Sequence, residues 1–505
     1  MGTTSAYTDS ECIRDETRDT SIEAFFADSV IFVTGATGFV GKALIEKLLR
    51  SCSRLSKIYL LIRPKKDQIV KERFKMLMNN SIFDKIRCEH PDLINKVYPI
   101  KGDVSERDLG LSHEDKMKLT QTVNIVFHCA ATVRFTEPLK LAVKLNIRAT
   151  DRILDLCKSI TRLKSFVHVS TAYSNADKHE VKEHVYKTKI TPQVIMDMCE
   201  NLDDDTLTVL ETKLLEKHPN TYTLTKGIAE ELVSKKGIDL PTIIVRPSII
   251  CAAYQEPLPG WVDNLYGITG IITEIGRGTI RSIYGDKKLK IDVVPVDYVV
   301  NTLICAAWHG TVHRNGSIQV YNCTSSTINP ISWGDFAKHI RKHVIESPSK
   351  YVMWYPNVAI RTNKLIHKII VVILHFVPAF LLDVLLICQG SKPIMLNMSK
   401  RIDRAAKIGS FFALHEWDFA LDNMMDLIKH VKTMNDCNHF RVDFKDIDWD
   451  AYTRQYTLGI RRYILKDHPD SLNKARSRLS KLYWLRKLIQ AMSILFLYKL
   501  LKYVG

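Results

Sequence analysis

Residues 29–41 read Ser29-Val30-Ile31-Phe32-Val33-Thr34-Gly35-Ala36-Thr37-Gly38-Phe39-Val40-Gly41. The first six are mainly β-branched or aromatic, the composition of a strand buried on both faces. Three glycines at three-residue spacing follow, and Lys42 to Leu49 then carries apolar residues at helical period. Strand, glycine turn and helix in this order predict a phosphate loop. Gly35 permits the tight turn, Gly38 lets backbone approach a pyrophosphate, and Gly41 lets the helix pack on the strand. The helix N-terminus then offers free amides and the positive end of its dipole. Candidate cofactor contacts here are Thr34, Gly35, Thr37, Gly38, Phe39, Val40 and Gly41.

Working outward, further buried strands are predicted at 58–62, 123–128, 165–169 and 242–245, with helical patterns between them, notably at 138–158 and 222–236. Alternating strands and helices require right-handed crossovers, hence an α/β fold with a doubly wound parallel sheet of the Rossmann type. Ligands of such sheets lie beyond the carboxyl ends of the strands. The chemistry is therefore expected at 35–41, at Arg63, and in the 128–134, 170–174 and 246–252 loops, with Ala130 a candidate cofactor contact. Arg63 closes the second strand, backed by Lys65 and Lys66, where an acid would bind the ribose 2′-hydroxyl of NAD. Arginine there suits a 2′-phosphate, so NADPH is the expected cofactor. Asp103, after a later strand, is read either as a contact of the adenine amino group or as a turn residue.

Thr221-Tyr222-Thr223-Leu224-Thr225-Lys226 contains YxxxK. Residues four apart share a helix face, so Lys226 can lie beside Tyr222. A nearby cation favours the phenolate, and the expectation is a tyrosine pKa lowered from about 10 toward neutrality. Some fifty residues earlier a strand ends in Ser170-Thr171, and either hydroxyl could share a reacting carbonyl oxygen with Tyr222.

The chain has 505 residues, long enough for two or more structural units. Seventy-two Lys and Arg against 55 Asp and Glu give a net charge of +17. That favours an anionic partner: nucleic acid, a phosphorylated ligand or an anionic membrane. No helix-turn-helix, zinc pattern or RNP-like strand is present, so nucleic acid is discarded. Eleven cysteines stand singly, without a CxxC pair, the usage of reduced thiols in a cytosol-facing protein. No disulfide framework and no metal site are expected. Residues 1–27 read as a flexible polar leader, without a secretory signal, and Ala6 breaks the myristoylation pattern.

After about residue 350 the pattern turns to long apolar and basic helices. Residues 369–388 read IIVVILHFVPAFLLDVLLIC, twenty residues interrupted by His375, Pro378 and Asp383. A membrane span and a buried or interfacial hairpin bent at Pro378 both fit. From Arg461 the chain holds eleven Lys and Arg against two acids and ends on the apolar run 488–501. Such a basic, aromatic-flanked terminus suits a cytosolic membrane face, where each cation near anionic lipid contributes about 1 kcal/mol. Its alternative is a solvated amphipathic helix.

Taken together, TGATGFVG (34–41), HCAATVRF (128–135), Asn146 in KLNIRAT, HVSTAY (168–173), YxxxK and VRPSII (245–250) resemble an extended short-chain dehydrogenase/reductase. PGWVDN (259–264), DVVPVDYV (292–299) and YNCTSS (321–326) resemble, more narrowly, the eukaryotic fatty acyl-CoA reductases, insect-like in character. The resemblance runs from about residue 28 to 465. It implies four-electron reduction of a long-chain acyl-CoA to a primary alcohol, through a bound aldehyde, with two NADPH and no metal. It also implies Thr171, rather than Ser170, with Tyr222 and Lys226 as the catalytic set. Pro247 and Ser248 are the implied contacts on the nicotinamide side, and Lys226 would also bind the ribose. The implied organisation is a cofactor-binding domain at 28–350, a smaller male-sterility-type helical domain at 351–460, and a membrane-associating tail at 461–505. A cytosol-facing enzyme is expected, on the endoplasmic reticulum before the peroxisome. Another extended reductase, of hydroxysteroid or nucleotide-sugar type, and a non-catalytic NADP-binding scaffold are the competing readings.

Overall fold

The computed structural model describes residues 21–65, 68–314 and 316–504. Its centre is a seven-stranded, wholly parallel sheet: β1 (Val30–Thr34), β2 (Lys57–Ile62), β3 (Val97–Lys101), β4 (Ile125–His128), β5 (Ser165–Val169), β6 (Thr242–Pro247) and β7 (Gln319–Cys323). Their spatial order is 3-2-1-4-5-6-7, so the winding reverses between β1 and β4. β4, β5 and β6 are buried along their whole length, which is why they read as continuous apolar runs. Alternate residues feed two cores. Ile31 and Val33 belong to one face, beneath the helices Phe39–Ser51 and Val296–Val312. Phe32 belongs to the other, beneath helix Thr221–Lys236 and the helical stretch 139–159.

Four expectations need correction. The polar leader does not reach residue 27, because Ile22–Phe26 forms a helix whose Ile22 and Phe26 are fully buried. The main-chain N–H groups of Ile22 and Glu23 donate to the Asp436 carboxylate at 3.0 Å each. The part of the leader before residue 21 lies outside the described residues.

The second correction concerns the boundary at 350/351. Ala359–Arg361 adds a parallel strand to Ser282–Tyr284, and Asp418–Phe419 adds one to Glu180–Val181. Helix Asp422–Lys432 packs on β7, and helix Trp449–Gly459 packs on Trp333–Glu346. Tyr452 and Tyr456 are fully buried in the same core as β1, and Tyr452 donates to the Ala252 carbonyl at 2.9 Å. Gly260, at φ +75°, meets Gly459 so closely that a Cβ on either would strike backbone. The C-terminal helices thus complete the Rossmann core.

Third, the tail does not begin at Arg461. Arg461 is buried and pairs with Asp467 at 3.4 Å, and the exposed terminal helix starts only at Ser471.

Fourth, residues 364–388 form one helix with a π turn at Val372–Phe376, immediately before Pro378, followed by helix Met395–Leu414 packed along it. It is a hairpin, though not a buried one. Two of the three interruptions face the protein. His375 Nε2 accepts the Arg281 N–H at 3.0 Å, and Asp383 takes the N–H groups of Ile394, Met395 and Leu396 at 2.8–2.9 Å, capping the next helix. Ile373, Phe380, Leu381, Leu385 and Ile387 remain more than half exposed. Among the described residues this is the one helix long and apolar enough to cross a membrane.

Candidate active site at the switch point

The glycine loop lies where the winding reverses. Gly35 has φ +72°, and a Cβ there would sit 2.7 Å from Ala130 N, so β1 and β4 close on each other only through glycine. A Cβ on Gly41 would run into the Gly35 carbonyl. Helix Phe39–Ser51 starts at Gly38 without any side-chain cap, leaving its first amides available to an anion. This glycine cradle and these uncapped amides fit a dinucleotide pyrophosphate. Thr34 Oγ1 accepts from Ala130 N–H at 3.3 Å and lies 2.7 Å from His128 Nδ1. Thr150 donates to the Asn146 carbonyl at 2.7 Å, so it accepts from His128 Nε2–H at 3.1 Å. His128 Nδ1 therefore accepts from Thr34, which burial favours by holding the imidazole down near pKa 3, neutral.

Phe39 stacks on fully buried Trp261 at 5.1 Å, and Lys42 forms an ion pair with Asp263. The PGWVDN motif thereby braces the first turn of the phosphate-loop helix. Val40 packs beside it, partly buried. At the end of β2, Arg63 is exposed and pairs with Asp103 at 3.9 Å. Asp103 also accepts from Ser105 N–H at 2.9 Å, so the turn reading of Asp103 has its hydrogen bond. Lys65 is exposed, and Lys66 lies outside the described residues. Sequence reasoning missed Arg73: its guanidinium binds the Arg63 carbonyl and reaches Thr37 Oγ1 at 3.3 Å. It sits on an ordinary surface helix, where one arginine among several cations carries no sequence signal.

Tyr222 and Lys226 stand in the first turns of helix Thr221–Lys236, capped by Asn220. Gly227 lets this helix approach the 172–175 turn, since a Cβ there would lie 2.6 Å from the Ser174 carbonyl. Thr171 is buried, and its hydroxyl acts on that of Tyr222, opposing the rise that burial gives the phenol. Ser170 is committed elsewhere, donating to Glu230 at 2.5 Å. Glu230 in turn holds Arg246 in a buried two-pronged pair at 2.6 and 2.9 Å, and Arg246 also donates to the Lys182 and His184 carbonyls. The hydroxyl left facing Tyr222 is therefore that of Thr171.

The expected lowering of the Tyr222 pKa is not what the geometry produces. Burial pushes the phenol up to about 12, and the Thr171 hydrogen bond offsets only part of that. Lys226 donates to the Val169 carbonyl at 2.8 Å, and burial brings it down to about 8. Asn146, inside the π turn Lys144–Arg148, accepts from Thr132 N–H at 2.9 Å and donates to Thr225 at 3.0 Å, fixing the 128–134 loop against the helix of Tyr222. Pro247 ends β6 opposite Cys323, and the Ser248 hydroxyl donates to Asp292 at 2.5 Å. Asp292 also takes the N–H groups of Ser325 and Ser326, which joins DVVPVD to YNCTSS.

Beyond Tyr222 runs an aromatic wall. Phe135 lies 5.7 Å from the Tyr222 ring and 5.6 Å from Phe412, which meets Tyr173 at 4.9 Å. Tyr173, Ile249, Trp333, Phe412, Trp417 and Phe419 line a narrow crevice that also carries Lys290, Asp292 and Ser326. Phe412 closes the hairpin's second helix, a long-range contribution that sequence spacing does not signal.

A family described as male sterility protein matches residues 33–303 with its NAD-binding model and residues 374–467 with a second model of the same description. Fatty acyl-CoA reductase 1 of Mus musculus is 37% identical over 462 residues, covering 92% of this chain and 90% of that protein. The human fatty acyl-CoA reductase 1 gives the same figures, and fatty acyl-CoA reductase 2 of Mus musculus is 36% identical over 480 residues, covering 95% and 93%. Among solved structures, the terminal R domain of the myxalamid PKS-NRPS pathway superposes with a TM-score of 0.57 at 19% identity, covering 87% of this chain and 92% of that one. The reductase domain of a nonribosomal peptide synthetase from Mycobacterium tuberculosis does so with 0.56 at 16%, covering 87% and 95%. These two carry the fold alone. With both regions matched and over a third of residues shared along nearly the full length of both chains, this NAD(P)-binding protein belongs to the fatty acyl-CoA reductase family.

Proposed function

We propose that the chain reduces a long-chain fatty acyl-CoA to the primary alcohol through a bound aldehyde, releasing CoA and consuming two NADPH. The observation that carries this reading is the Thr171–Tyr222 hydroxyl pair, set beside the glycine loop and opening on the aromatic wall of Phe135 and Phe412. Apolar rings suit an alkyl chain, and the hydroxyls suit its carbonyl end. When bound, NADPH supplies the hydride for each reduction. Tyr222 keeps its proton at neutral pH, because burial raises its pKa, so it acts as the acid that protonates the carbonyl oxygen. Thr171 shares the developing oxyanion. Lys226, one helical turn from Tyr222 and held by the Val169 carbonyl at 2.8 Å, is the cation of the site. The resulting hemithioacetal collapses to aldehyde as its hydroxyl proton returns to the Tyr222 and Thr171 pair and CoA leaves. The aldehyde then takes a second hydride and a second proton at the same two hydroxyls.

The reading of NADPH rather than NADH is supported by the exposed cations at the end of β2. Arg63 stands where a 2′-phosphate would lie, and Arg73, anchored to Thr37, adds a second guanidinium. Membrane attachment is part of the same proposal. Its support is the hairpin helix 364–388, which turns His375 and Asp383 inward and leaves an apolar face in solvent, together with the terminal helix, where Trp484, Leu488, Ile494 and Phe496 are exposed among Lys and Arg. An apolar face this large on a water-soluble surface is unfavourable unless covered. Interfacial helices of this make-up lie with their apolar side in the lipid and their cations at the headgroups.

Tyr222→Phe is expected to cut alcohol formation from palmitoyl-CoA by about 10²–10⁴-fold while leaving NADPH affinity, read by nucleotide fluorescence titration, within a factor of two or so; full turnover by this variant would refute the assignment. The double variant Arg63→Ala/Arg73→Ala should raise the KM for NADPH by about tenfold or more, the loss of charge-assisted hydrogen bonds, with little change for NADH. Equal losses with both nucleotides would place the 2′-phosphate elsewhere. Replacing Phe380, Leu381 and Leu385 together by Glu should reduce flotation with phosphatidylcholine/phosphatidylserine vesicles and leave the circular dichroism spectrum unchanged. Undiminished flotation would remove the hairpin from the membrane contact.

A further inference from the structure

The sequence offered no metal-ligand spacing, yet the fold assembles one on the rim of the sheet opposite the candidate active site. His309 and His313 are four residues apart at the end of helix Val296–Val312, which leads into the amino end of β7, and Asp426 and His430 are four apart on helix Asp422–Lys432 packed beside it. Four-residue spacing puts each pair on one helix face, and the packing of the two helices turns the faces together. One ring nitrogen from each of His309, His313 and His430 lies within 4.8 Å of the others. His309 Nε2 is 3.1 Å from His430 Nδ1. The Asp426 carboxylate reaches between them, 3.4 Å from each nitrogen. A tetrahedral zinc with Zn–N bonds of about 2.0–2.1 Å holds its ligand atoms about 3.3–3.4 Å apart, so these separations already approach those of a ligand shell.

A second, independent observation concerns the tautomer. Gln319 Nε2 donates to the His313 carbonyl at 3.0 Å, which turns Gln319 Oε1 toward Tyr321, and the Tyr321 hydroxyl donates to that oxygen. Tyr321 must then accept from His309, whose Nδ1 lies 2.8 Å away. The buried His309 is thereby held with its proton on Nδ1 and the lone pair of Nε2 aimed at the cluster. Metal-ligating histidines are held in this way by an outer hydrogen bond to the far nitrogen.

We propose that His309, His313, His430 and Asp426 form a site for a borderline divalent transition-metal ion of the zinc type, clasping the C-terminal helix Asp422–Lys432 to the edge of the Rossmann sheet. Three imidazoles and a carboxylate without thiolate suit zinc and its analogues rather than calcium or magnesium. His430 Nδ1 sits between His309 Nε2 and the Asp426 main-chain carbonyl, 2.9 Å from the latter, so ligation through Nδ1 would shift its proton to Nε2 with none released. His313 is exposed, so the site is open to entry from solvent. The reacting groups lie at the carboxyl ends of the strands, so the role is structural and catalysis does not run through the ion.

The test uses the full chain in detergent, purified without a polyhistidine tag and freed of metal by chelation. Zinc chloride titrated calorimetrically should bind one equivalent per chain, cobalt chloride should develop the visible bands of tetrahedral cobalt, and zinc should raise the melting temperature. His313→Gln, at an exposed position where folding is not at stake, and His430→Gln should each abolish the cobalt bands and the thermal shift, and Tyr321→Phe should weaken zinc by about 10–100-fold. Palmitoyl-CoA reduction should be unchanged by the chelator. Absence of saturable zinc binding, or saturable binding that persists undiminished in both histidine variants, would overturn the proposal.

Discussion

The close approach of Gly35 to the 129–130 backbone is the constraint on which the rest of the architecture depends. A positive φ and a contact too short for any Cβ bring β1 onto β4 at the one place where the winding of the sheet reverses. Crossovers leaving to opposite faces open a crevice there, and a ligand can enter only beyond the carboxyl ends of the strands. The Thr34–His128–Thr150 chain then locks the two strand ends in register, each hydroxyl and ring nitrogen having one defined donor or acceptor role. One strand further, the buried Arg246–Glu230 pair ties β6 to the helix of Tyr222 and absorbs the Ser170 hydroxyl. Removing one member of such a buried pair costs about 3–5 kcal/mol because the other charge is left unpaired. Selection of Thr171 as the hydroxyl facing Tyr222 is thus a consequence of where a charge had to be satisfied.

Much of this was legible in the residues because it rests on local rules. β1, β2, β4, β5 and β6 are buried on both faces and so read as apolar runs, and the glycine spacing names the turn after the first. β3 and β7 were harder. β3 alternates between buried and exposed positions and contains Pro99, as an edge strand can, while β7 is built from Gln319, Asn322 and Cys323 as much as from Val320 and Tyr321. Helix Val296–Val312 is buried on nearly all sides, which erases the amphipathic period by which helices are recognised. The Arg73 contact with Thr37, the Phe412 wall and the histidine cluster join residues from 36 to more than 100 positions apart. No spacing rule reaches that far.

The Tyr222 titration shows a different kind of failure. Helical spacing suggested that Lys226 would lower the phenol, but desolvation raises it, and the Lys226 ammonium donates to the Val169 carbonyl instead. A tyrosine that keeps its proton suits the acid role toward a carbonyl that gains charge, so what changes is the expected shift of the phenol toward neutrality. The C-terminal region was read as helical from its sequence pattern and as a smaller domain from the family resemblance. Composition reports the exposed apolar face of 364–388 well, but it cannot report that Tyr452, Tyr456 and Leu427 are core residues of the Rossmann domain. Gly260 against Gly459 makes that union a matter of backbone contact, and it accounts for PGWVDN as a bracing motif on the phosphate-loop helix.

The central claim is that one site performs two successive hydride transfers on the same carbon, with Tyr222 protonating the oxygen each time. Its most direct measurement is the isotope content of the product formed from palmitoyl-CoA with NADPH deuterated at the transferred position. The account predicts hexadecanol bearing two deuterium atoms on C1, with one CoA released for every two NADPH oxidised. Accumulation of a singly deuterated aldehyde as the end product, with one NADPH oxidised per CoA, would contradict it.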